Sequence, residues 1–455
     1  MMPFHSILET IGQTPLVQVT QINTGLCQLF LKLENQNPGG SIKDRIAVSM
    51  ISAAEKEGKL KPGGIIIEAT AGNTGLGLAL VAARKGYRLI LVIPDKMSQA
   101  KIVHLQGLGA EIYTTRSDVG KGHPEYYQDI AERLSREIPG SFYINQFENP
   151  ANAWAHESTT GPEIWQQMGK KLDAVICGVG SGGTLTGLGR FFKKTAPHVK
   201  MVVADPKGSI IADLVNKGTH DIPGSWLVEG VGEDFVPAIL DMGLIQTAYT
   251  IDDAESMETA RLLLKREGIL AGSSSGTLIA AALRYCRQQR YPQRVVTFVC
   301  DSGNKYLSKA FNDQWMEEQG LLVREKNGDL RDLVARPYQS GRTVSVSPTD
   351  TVLTAYKRMR QHDVSQLPVL EKSKIIGMVD DNMILQYHSR QSLSELLVSK
   401  IMSRQFNKVE SDVSIEKVKE TLKTAPYVVV LHQDQFIGFI TRADLINHFI
   451  SNPIL

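Results

Sequence analysis

The sequence predicts an α/β protein with a second, smaller α/β module behind the main one. Three observations carry this. Three glycine-rich loops each follow a short apolar run and precede a helical one, the strand, turn, helix order of a largely parallel sheet. The 455 residues suggest two or three domains and allow a large core. Beyond about residue 338 the chain repeats itself at a spacing of about sixty, and each copy reads as a β-α-β-β-α unit.

The first loop, Thr70-Ala71-Gly72-Asn73-Thr74-Gly75, lies between the strand-like Ile65-Ile66-Ile67-Glu68-Ala69 and a helical run from Leu76 to Leu80. A helix start presents unpaired backbone N–H groups, and the small hydroxyl and amide side chains here make it a seat for a carboxylate. Asn73 adds a neutral amide donor. The second loop, Gly178 to Thr184, follows Leu172-Asp173-Ala174-Val175-Ile176. No lysine follows its glycines, which excludes a Walker-type loop and leaves a cup for one phosphate. The third, Gly272-Ser273-Ser274-Ser275-Gly276-Thr277, opens the helical run Leu278 to Cys286. Ahead of all three, the turn Asn37-Pro38-Gly39-Gly40 leads into Ser41-Ile42-Lys43-Asp44-Arg45. Ser41 can cap a helix there, and Asp44 can complete a reciprocal capping pair. Lys43 is out of place. The positive end of the helix dipole disfavours an ammonium, which lowers its pKa and leaves an amine able to form imines.

Composition excludes several classes. An apolar content of 42% and a charged content of 22% are those of an ordinary globular protein. The net charge is +2 and no basic run is interleaved with aromatics, so nothing points to nucleic acid. Cys27, Cys177, Cys286 and Cys300 lack metal-type spacing, so no metal site is expected, and reduced thiols in a cytoplasm are. No basic stretch followed by an apolar run opens the chain, and the roughly eighteen consecutive apolar residues of a membrane span occur nowhere. Neither export nor membrane spanning is expected.

Taken in order, Asn37 to Arg45, Thr70 to Gly75, Gly178 to Thr184 and Gly272 to Thr277 resemble the motifs of the cystathionine β-synthase and cysteine synthase family of pyridoxal-phosphate enzymes, the fold-type II group. The resemblance covers roughly residues 5 to 315. It implies a two-lobed catalytic domain over 1–320, similar to the β-subunit of tryptophan synthase, with the cofactor between the lobes. It implies that Lys43 carries pyridoxal 5′-phosphate covalently and moves the Cα proton, that Asn73 donates to the cofactor's ring oxygen, and that Gly180, Ser181, Gly182, Gly183 and Thr184 hold the phosphate. The hydroxyl facing the pyridine nitrogen falls best on Ser274, with a slip of one along the three serines left open. Thr70, Ala71, Gly72 and Thr74 would hold the substrate carboxylate, Ala71 in place of a common serine, and Gln146 would face the substrate. The segment Val228 to Phe235 is similar to the loop that cystathionine synthases set near homocysteine, with Glu229 in it. Glu233 stands there where many relatives have tyrosine; it could pair with the ammonium of the thiol substrate or simply be solvated.

The implied chemistry is β-replacement. A serine is a weaker partner for the pyridine nitrogen than an aspartate, which makes the electron sink shallow and favours expulsion of the β-substituent, giving an aminoacrylate to which a thiol adds. Serine or O-acetylserine with homocysteine would give cystathionine. O-acetylserine with sulfide, the cysteine synthase reaction, is the alternative; the appended module and the Glu229 loop favour the former. A dinucleotide-binding oxidoreductase is the rival class, because Gly178, Gly180 and Gly183 satisfy G-x-G-x-x-G and Asp205 stands at a plausible ribose distance. That reading leaves Lys43, Asn73 and the serine loop unexplained. A non-catalytic adenosyl sensor built on an inactive enzyme is disfavoured, because no expected cofactor contact is missing. The haem-bearing extension of animal members needs several tens of residues ahead of Ile11-Gly12-Gln13-Thr14-Pro15-Leu16, and ten stand there, so no haem is expected and His5 reads as a surface residue.

Past Trp315 a charged, glycine-containing stretch runs to Arg336-Pro337 and reads as a linker over 321–337. Then Pro368-Val369-Leu370 and Ile375 to Val379 correspond to Val429-Val430-Leu431 and Phe436 to Ile440, each set followed by a helix. These units, 338–392 and 393–455, resemble a pair of CBS domains, a Bateman module that senses adenosyl compounds. Thr441-Arg442-Ala443-Asp444 is similar to the motif whose hydroxyl and carboxylate hold a ribose, which implies a site for S-adenosylmethionine or an adenine nucleotide on Thr441 and Asp444. Asp380 and Met383 stand at the equivalent places of the first repeat and leave it without one. A module kept for contacts between chains is the alternative. The family also implies a homodimer or a higher homo-oligomer.

Overall fold

The computed structural model describes residues 3–70, 72–95, 99–116, 118–119, 122–322, 327–339, 341, 343–387 and 392–451. The chain divides into two compact units, Met1–Leu322 and Val323–Leu455.

In the first unit the β-branched runs become ten strands: β1 (Leu16–Gln18), β2 (Gln28–Leu33), β3 (Ile65–Ala69), β4 (Arg88–Pro94), β5 (Glu111–Thr115), β6 (Ser141–Tyr143), β7 (Ala174–Gly178), β8 (Lys200–Pro206), β9 (Thr247–Ile251) and β10 (Arg294–Val299). They form two sheets, ordered β1-β2-β10-β7-β8-β9 and β5-β4-β3-β6. All pairings are parallel except the edge pair β1 and β2. Parallel strands are covered on both faces, which is why Ile65 to Ile67 and Val202 to Ala204 are unbroken apolar runs and do not alternate.

The helices are α1 (Lys43–Lys56), α2 (Asn73–Lys85), α3 (Gln99–Gly107), α4 (Tyr127–Glu137), α5 (Pro150–Ala155), α6 (Gly161–Gln167), α7 (Gly183–Thr195), α8 (Ile211–Lys217), α9 (Asp253–Glu267), α10 (Ser273–Arg287) and α11 (Asp313–Glu318). Ile46, Met50 and Leu78 of α1 and α2 pack on one face of the smaller sheet, beside Ile66 and Leu91, while Ile130 of α4 covers the other face at Ile67 and Val92. The larger sheet has its own core, in which Ile176, Val202 and Phe298 meet Leu278 and Leu283 of α10. Two lobes with separate cores result. The loops after β3, β7 and β10 leave the carboxyl ends of their strands, where open parallel sheets bind ligands.

Lys43 is the first residue of α1. The reciprocal cap expected of Ser41 and Asp44 forms on one side only: Ser41 Oγ accepts from Lys43 N at 3.2 Å, but Asp44 Oδ2 accepts from Gly39 N at 2.6 Å. The turn 37–40 folds back over the helix start and brings the Gly39 N–H within reach. Below this turn a buried charge network ties α1 down. Arg45 pairs with Glu34 and with Glu163, each at 2.7 Å, and Lys32 reaches Glu163 at 2.9 Å.

The second unit holds two hairpins, β11 (Gln366–Glu371) with β12 (Lys374–Asp380) and β14 (Tyr427–His432) with β15 (Gln435–Thr441); β13 (Lys408–Glu410) adds to the latter. Both hairpins turn through two residues of positive φ, Lys372 and Ser373 in one and Gln433 and Asp434 in the other. Those are the mirror-image turns that match strand twist. Both also shift register at the same place, after Val369 and after Val430. The expected boundaries need correction. Residues 330–334 do not link: Leu330, Leu333 and Val334 are buried in the core of the second repeat with Val418, Val430 and Ile440. In the same way Leu396, Val398 and Ile401, expected to open the second repeat, lie in the core of the first with Val352 and Val379. Each repeat is completed by the segment that precedes the other, because its sheet alone leaves an apolar face uncovered.

Candidate active site

A cavity of about 220 Å³ in the first unit is lined by loops from both lobes. Lys43, Thr70, Gly72, Asn73, Thr74, Gln146, Gly180 to Thr184, Glu233 and Ser274 all contribute to its wall. Ala71 lies outside the described residues. Lys43 is partly buried and lines this cavity. Burial pushes its pKa below the usual lysine range, against the opposing pull of Cys300, Asp301 and Glu233. Burial thus acts in the direction that the helix position alone suggested.

The second loop ends in α7, whose N-cap Gly182 has φ +83° and whose first turn has no side-chain cap. Backbone N–H groups are therefore left facing the cavity. Glycine is required by close approach as well. A Cβ on Gly183 would fall 2.0 Å from Asn152 Oδ1, and one on Gly180 would fall 2.8 Å from the Gly230 carbonyl oxygen. Asn152 donates to the Gln146 carbonyl at 2.8 Å and to Ser181 Oγ at 2.9 Å, and Thr74 donates to Gln146 Oε1 at 2.7 Å. The phosphate-type cup and the carboxylate-type loop are thus joined through Gln146. Glu68, fully buried at the end of β3, accepts from the Gln146 N–H at 3.3 Å, and burial raises its carboxyl to about 8. His156 touches Thr184 Oγ1 at 3.2 Å; burial holds its imidazole neutral, well below the usual histidine range.

The three serines separate cleanly. Ser273 Oγ accepts from Glu229 N at 3.2 Å and Ser275 Oγ accepts from Cys300 N at 2.9 Å, so both serve the scaffold. Ser274 is the one in the cavity wall, beside the Cys300 thiol. Glu229 is not brought to the cavity. Its carboxylate pairs with Lys101 and, at 2.8 Å, with Lys309; although burial pushes it upward, the two ammonium groups hold it below the usual carboxylate range. Glu233 is brought there. Burial, helped by Asp234 and Asp205, raises its carboxyl to about 8, with Lys43 opposing.

Sequence reasoning missed part of the wall. Phe147, Trp226 and Cys300 line the cavity. Burial pushes the Cys300 thiol up to about 12, so it is a neutral S–H. Asn73 is held from behind, its Nδ2 donating to Asp301 Oδ2 at 2.8 Å and its Oδ1 accepting from Lys305 at 2.5 Å. The usable signal was position, since Cys300 and Asp301 directly follow the carboxyl end of β10. Asp205, the residue a dinucleotide site would need, is fully buried and accepts from Ala212 N at 2.8 Å as a helix cap.

In the second unit Thr441 and Asp444 cap the last helix reciprocally. Asp444 N donates to Thr441 Oγ1 at 3.3 Å, and Asp444 Oδ2 accepts from both the N–H and the hydroxyl of Thr441 at 2.7 Å. In the first repeat Asp380 Oδ1 accepts from Met383 N at 2.8 Å, so the cap survives with its carboxylate at the other end.

An amine of lowered pKa, an anion cup at a helix start and a donor-rich loop, set between two α/β lobes, define an enzyme site built around an aldehyde cofactor that bears a phosphate. Comparison with known proteins agrees. The family of pyridoxal-phosphate dependent enzymes matches residues 7–301, and the CBS domain matches 330–390 and 398–451. The cystathionine β-synthase of Apis mellifera is 36% identical over 98% of this chain and 91% of its own. The cysteine synthase of Staphylococcus aureus (strain N315) is 41% identical over 67% of this chain and 96% of its own. A hydrogen sulfide-producing enzyme from Fusobacterium nucleatum superposes with a TM-score of 0.63 at 37% identity, covering 67% of this chain and 100% of that one. The chain belongs to the pyridoxal-phosphate dependent enzymes and, within them, to the cystathionine β-synthase family, with a pair of CBS domains behind the catalytic unit. The residues present fit that cofactor: uncapped N–H groups and hydroxyls for a phosphate, and a lysine whose burial favours the neutral amine for its carbonyl. Among the described residues no helix is long and apolar enough to cross a membrane.

Proposed function

We propose that the chain makes cystathionine, replacing the β-substituent of serine, or of an activated serine such as O-acetylserine, by the thiol of homocysteine. The observation that carries this reading is that Lys43 and Glu233 line one cavity with the cup 180–184 and with Thr70, Gly72, Asn73 and Thr74, together with similarity to a cystathionine β-synthase over 98% of this chain. Pyridoxal phosphate, when bound, supplies the electron sink that labilises the Cα–H bond and the β-substituent of an amino acid. The chain supplies the rest. Gly180, Ser181, Gly182, Gly183 and Thr184 would hold the phosphate, Ser274 would face the pyridine nitrogen with a neutral hydroxyl, and Asn73 would donate to the ring oxygen. Thr70, Ala71, Gly72 and Thr74 would orient the substrate carboxylate, with Gln146 facing the substrate. Lys43 takes and returns the Cα proton, for which its lowered pKa suits it. Mass-spectrometric identification of the product from serine or O-acetylserine, paired with homocysteine or sulfide, tests the reading. Cysteine from O-acetylserine and sulfide as the dominant product would replace it with the cysteine synthase reaction, which the similarity to the Staphylococcus aureus enzyme keeps as the second reading.

Glu233 is the residue we assign to the ammonium of homocysteine. At about pH 9, where its carboxylate is charged, Glu233→Gln should raise the KM for homocysteine roughly tenfold or more, since a charge-assisted hydrogen bond contributes about 1.5–3 kcal/mol. Sulfide, without an ammonium, should be unaffected. The Glu233 carboxyl titrates near 8, so its charged form grows as pH rises through that value. Between about pH 7 and pH 9 the wild type should therefore gain on the glutamine variant in homocysteine KM. Equal losses with both nucleophiles would mean a general loop defect.

The second unit we assign to one adenosyl ligand per chain, S-adenosylmethionine first and an adenine nucleotide second, held by Thr441 and Asp444. Asp444 Oδ2 is engaged in the helix cap, which leaves Oδ1 for the ribose hydroxyls. Asp444→Ala should weaken binding about thirtyfold, or about 2 kcal/mol, as read by calorimetry. Asp444→Asn keeps a cap acceptor and separates the loss of charge from fraying of the helix. Equal affinity in all three proteins would remove Asp444 from the site. Regulation further requires that the ligand prefer one of two states of the enzyme.

A further inference from the structure

Asn73 stands in the cavity wall at the first residue of α2, and an amide there can offer the cavity either its carbonyl or its NH₂. The reading above needs the NH₂. The two ends of an amide are alike in shape, so the groups that share it decide which way it points. Here those groups are of opposite kind. Burial pushes the pKa of Lys305, in the turn Gly303–Tyr306, downward, against the pull of Asp301 and Asp44 towards its ammonium form; as an ammonium it can only donate, and it donates to Asn73 Oδ1 at 2.5 Å. Asp301 accepts from Asn73 Nδ2 at 2.8 Å. Reversing the amide would set its NH₂ against an ammonium and its carbonyl against a carboxylate. With Oδ1 held by Lys305 and one Nδ2 hydrogen by Asp301, the second Nδ2 hydrogen is the group left for the cavity.

The holders are themselves fixed. Asp301 is fully buried, its Oδ2 also accepts from the Tyr306 hydroxyl at 2.9 Å, and its backbone carbonyl accepts from Gly272 N at 3.1 Å. A Cβ on Gly272 would fall 2.0 Å from Asp301 Oδ1, so the start of the serine loop closes over this carboxylate. Gly40, in the turn before Lys43, passes close to the Lys305 ammonium, where a Cβ would sit 3.8 Å away.

We propose that Lys305 and Asp301 are positioning residues that lock the Asn73 amide with its N–H turned to the cofactor's ring oxygen. The inference rests on the Asn73 contact put forward under the proposed function. The test uses holoenzyme and reads the absorption and fluorescence of the bound cofactor and its rate of release. Asn73→Ala should shift the spectrum. Lys305→Met should shift it in the same direction by at least half as much and loosen the cofactor about fivefold, the loss of roughly one hydrogen bond. Lys305→Arg, which still donates, should restore the wild-type spectrum. The double variant Asn73→Ala/Lys305→Met should match Asn73→Ala, because Lys305 acts only through the amide. A wild-type spectrum in Lys305→Met beside a shifted Asn73→Ala overturns this inference alone. No shift in Asn73→Ala overturns the reading beneath it. An additive shift in the double variant shows Lys305 acting by another route and also overturns the inference. If Lys305→Met does not fold, Asp301→Asn serves: it keeps the shape but offers either end to Asn73, so two spectral forms are expected, and a single wild-type form overturns the lock.

Discussion

Lys43→Ala should abolish the visible absorption of the covalently held cofactor and at least about a thousandfold of turnover, the upper part of what a positioned acid–base group contributes, while leaving the fold intact. The fold should survive because Lys43 does not stabilise it. Burial lowers the pKa of the amine, which means that its charged form is disfavoured in the native state, and an alanine at this first helical position removes that strain. On the proposed function, what disappears is a nucleophile at the cavity wall and a proton carrier beside Cα. Borohydride reduction followed by peptide mapping checks the assignment. A cofactor fixed to another lysine in the wild type would refute it.

The second large effect concerns stability. Arg45→Met should destabilise the catalytic unit by about 3–5 kcal/mol, because it strands Glu34 as a buried carboxylate without its ion-pair partner and leaves Glu163 with Lys32 alone. Arg45 bonds Glu34 through Nε and Nη2 and Glu163 through Nη1 and Nη2, so Arg45→Lys, which lacks the planar fork, should recover only part of the loss. All four tryptophans of the chain, Trp154, Trp165, Trp226 and Trp315, lie in the first unit, so tryptophan fluorescence during urea unfolding reports that unit separately. The network also has a pH signature. Burial acts to raise the Glu163 carboxyl, but Arg45 and Lys32 hold it down at about 2. A carboxyl depressed in the native state contributes stability that is complete above its unfolded pKa, near 4.5, and is lost as pH falls towards 2. An unchanged urea midpoint in Arg45→Met would show that the network contributes nothing net.

Glycine-rich loops and apolar runs made the two-lobed α/β unit legible, since the first two loops mark the carboxyl ends of β3 and β7 and open helices whose starts are anion seats by geometry. The serine loop departs from that order, for it follows α9, and the short run Ile269-Leu270-Ala271 ahead of it makes only an isolated bridge from Ala271 to Ser302. Lys43, Asn73, Gln146, the cup 180–184 and Glu233 meet in one cavity, although they come from segments far apart in the chain. Glu229 was less legible, because its partners Lys101 and Lys309 stand far from it in sequence and no local pattern announces an ion pair formed by tertiary packing. The same holds for Asp301 and Lys305, whose partner Asn73 lies more than two hundred residues earlier. Which of three adjacent serines faces the cavity was settled by what the other two bond, something composition does not contain. In the second unit the repeat was legible from its hairpins, but Leu330-Arg331-Asp332-Leu333-Val334 looked like a charged linker. Its likeness to Leu393-Ser394-Glu395-Leu396, at the same spacing of about sixty, was the signal that it belongs to the repeat.

That misplaced segment changes how the two units are strung together. The chain leaves the catalytic unit at Leu322 and is already built into the second repeat by Leu330, so only 323–329 lie between. In sequence the catalytic unit is therefore followed by the half of the module that carries Thr441 and Asp444, and the first repeat is an insertion between two pieces of its neighbour. The same wiring dictates where the protein can be cut: a catalytic fragment ending at 337 would trail an apolar hook without its socket, whereas one ending at 322 would not.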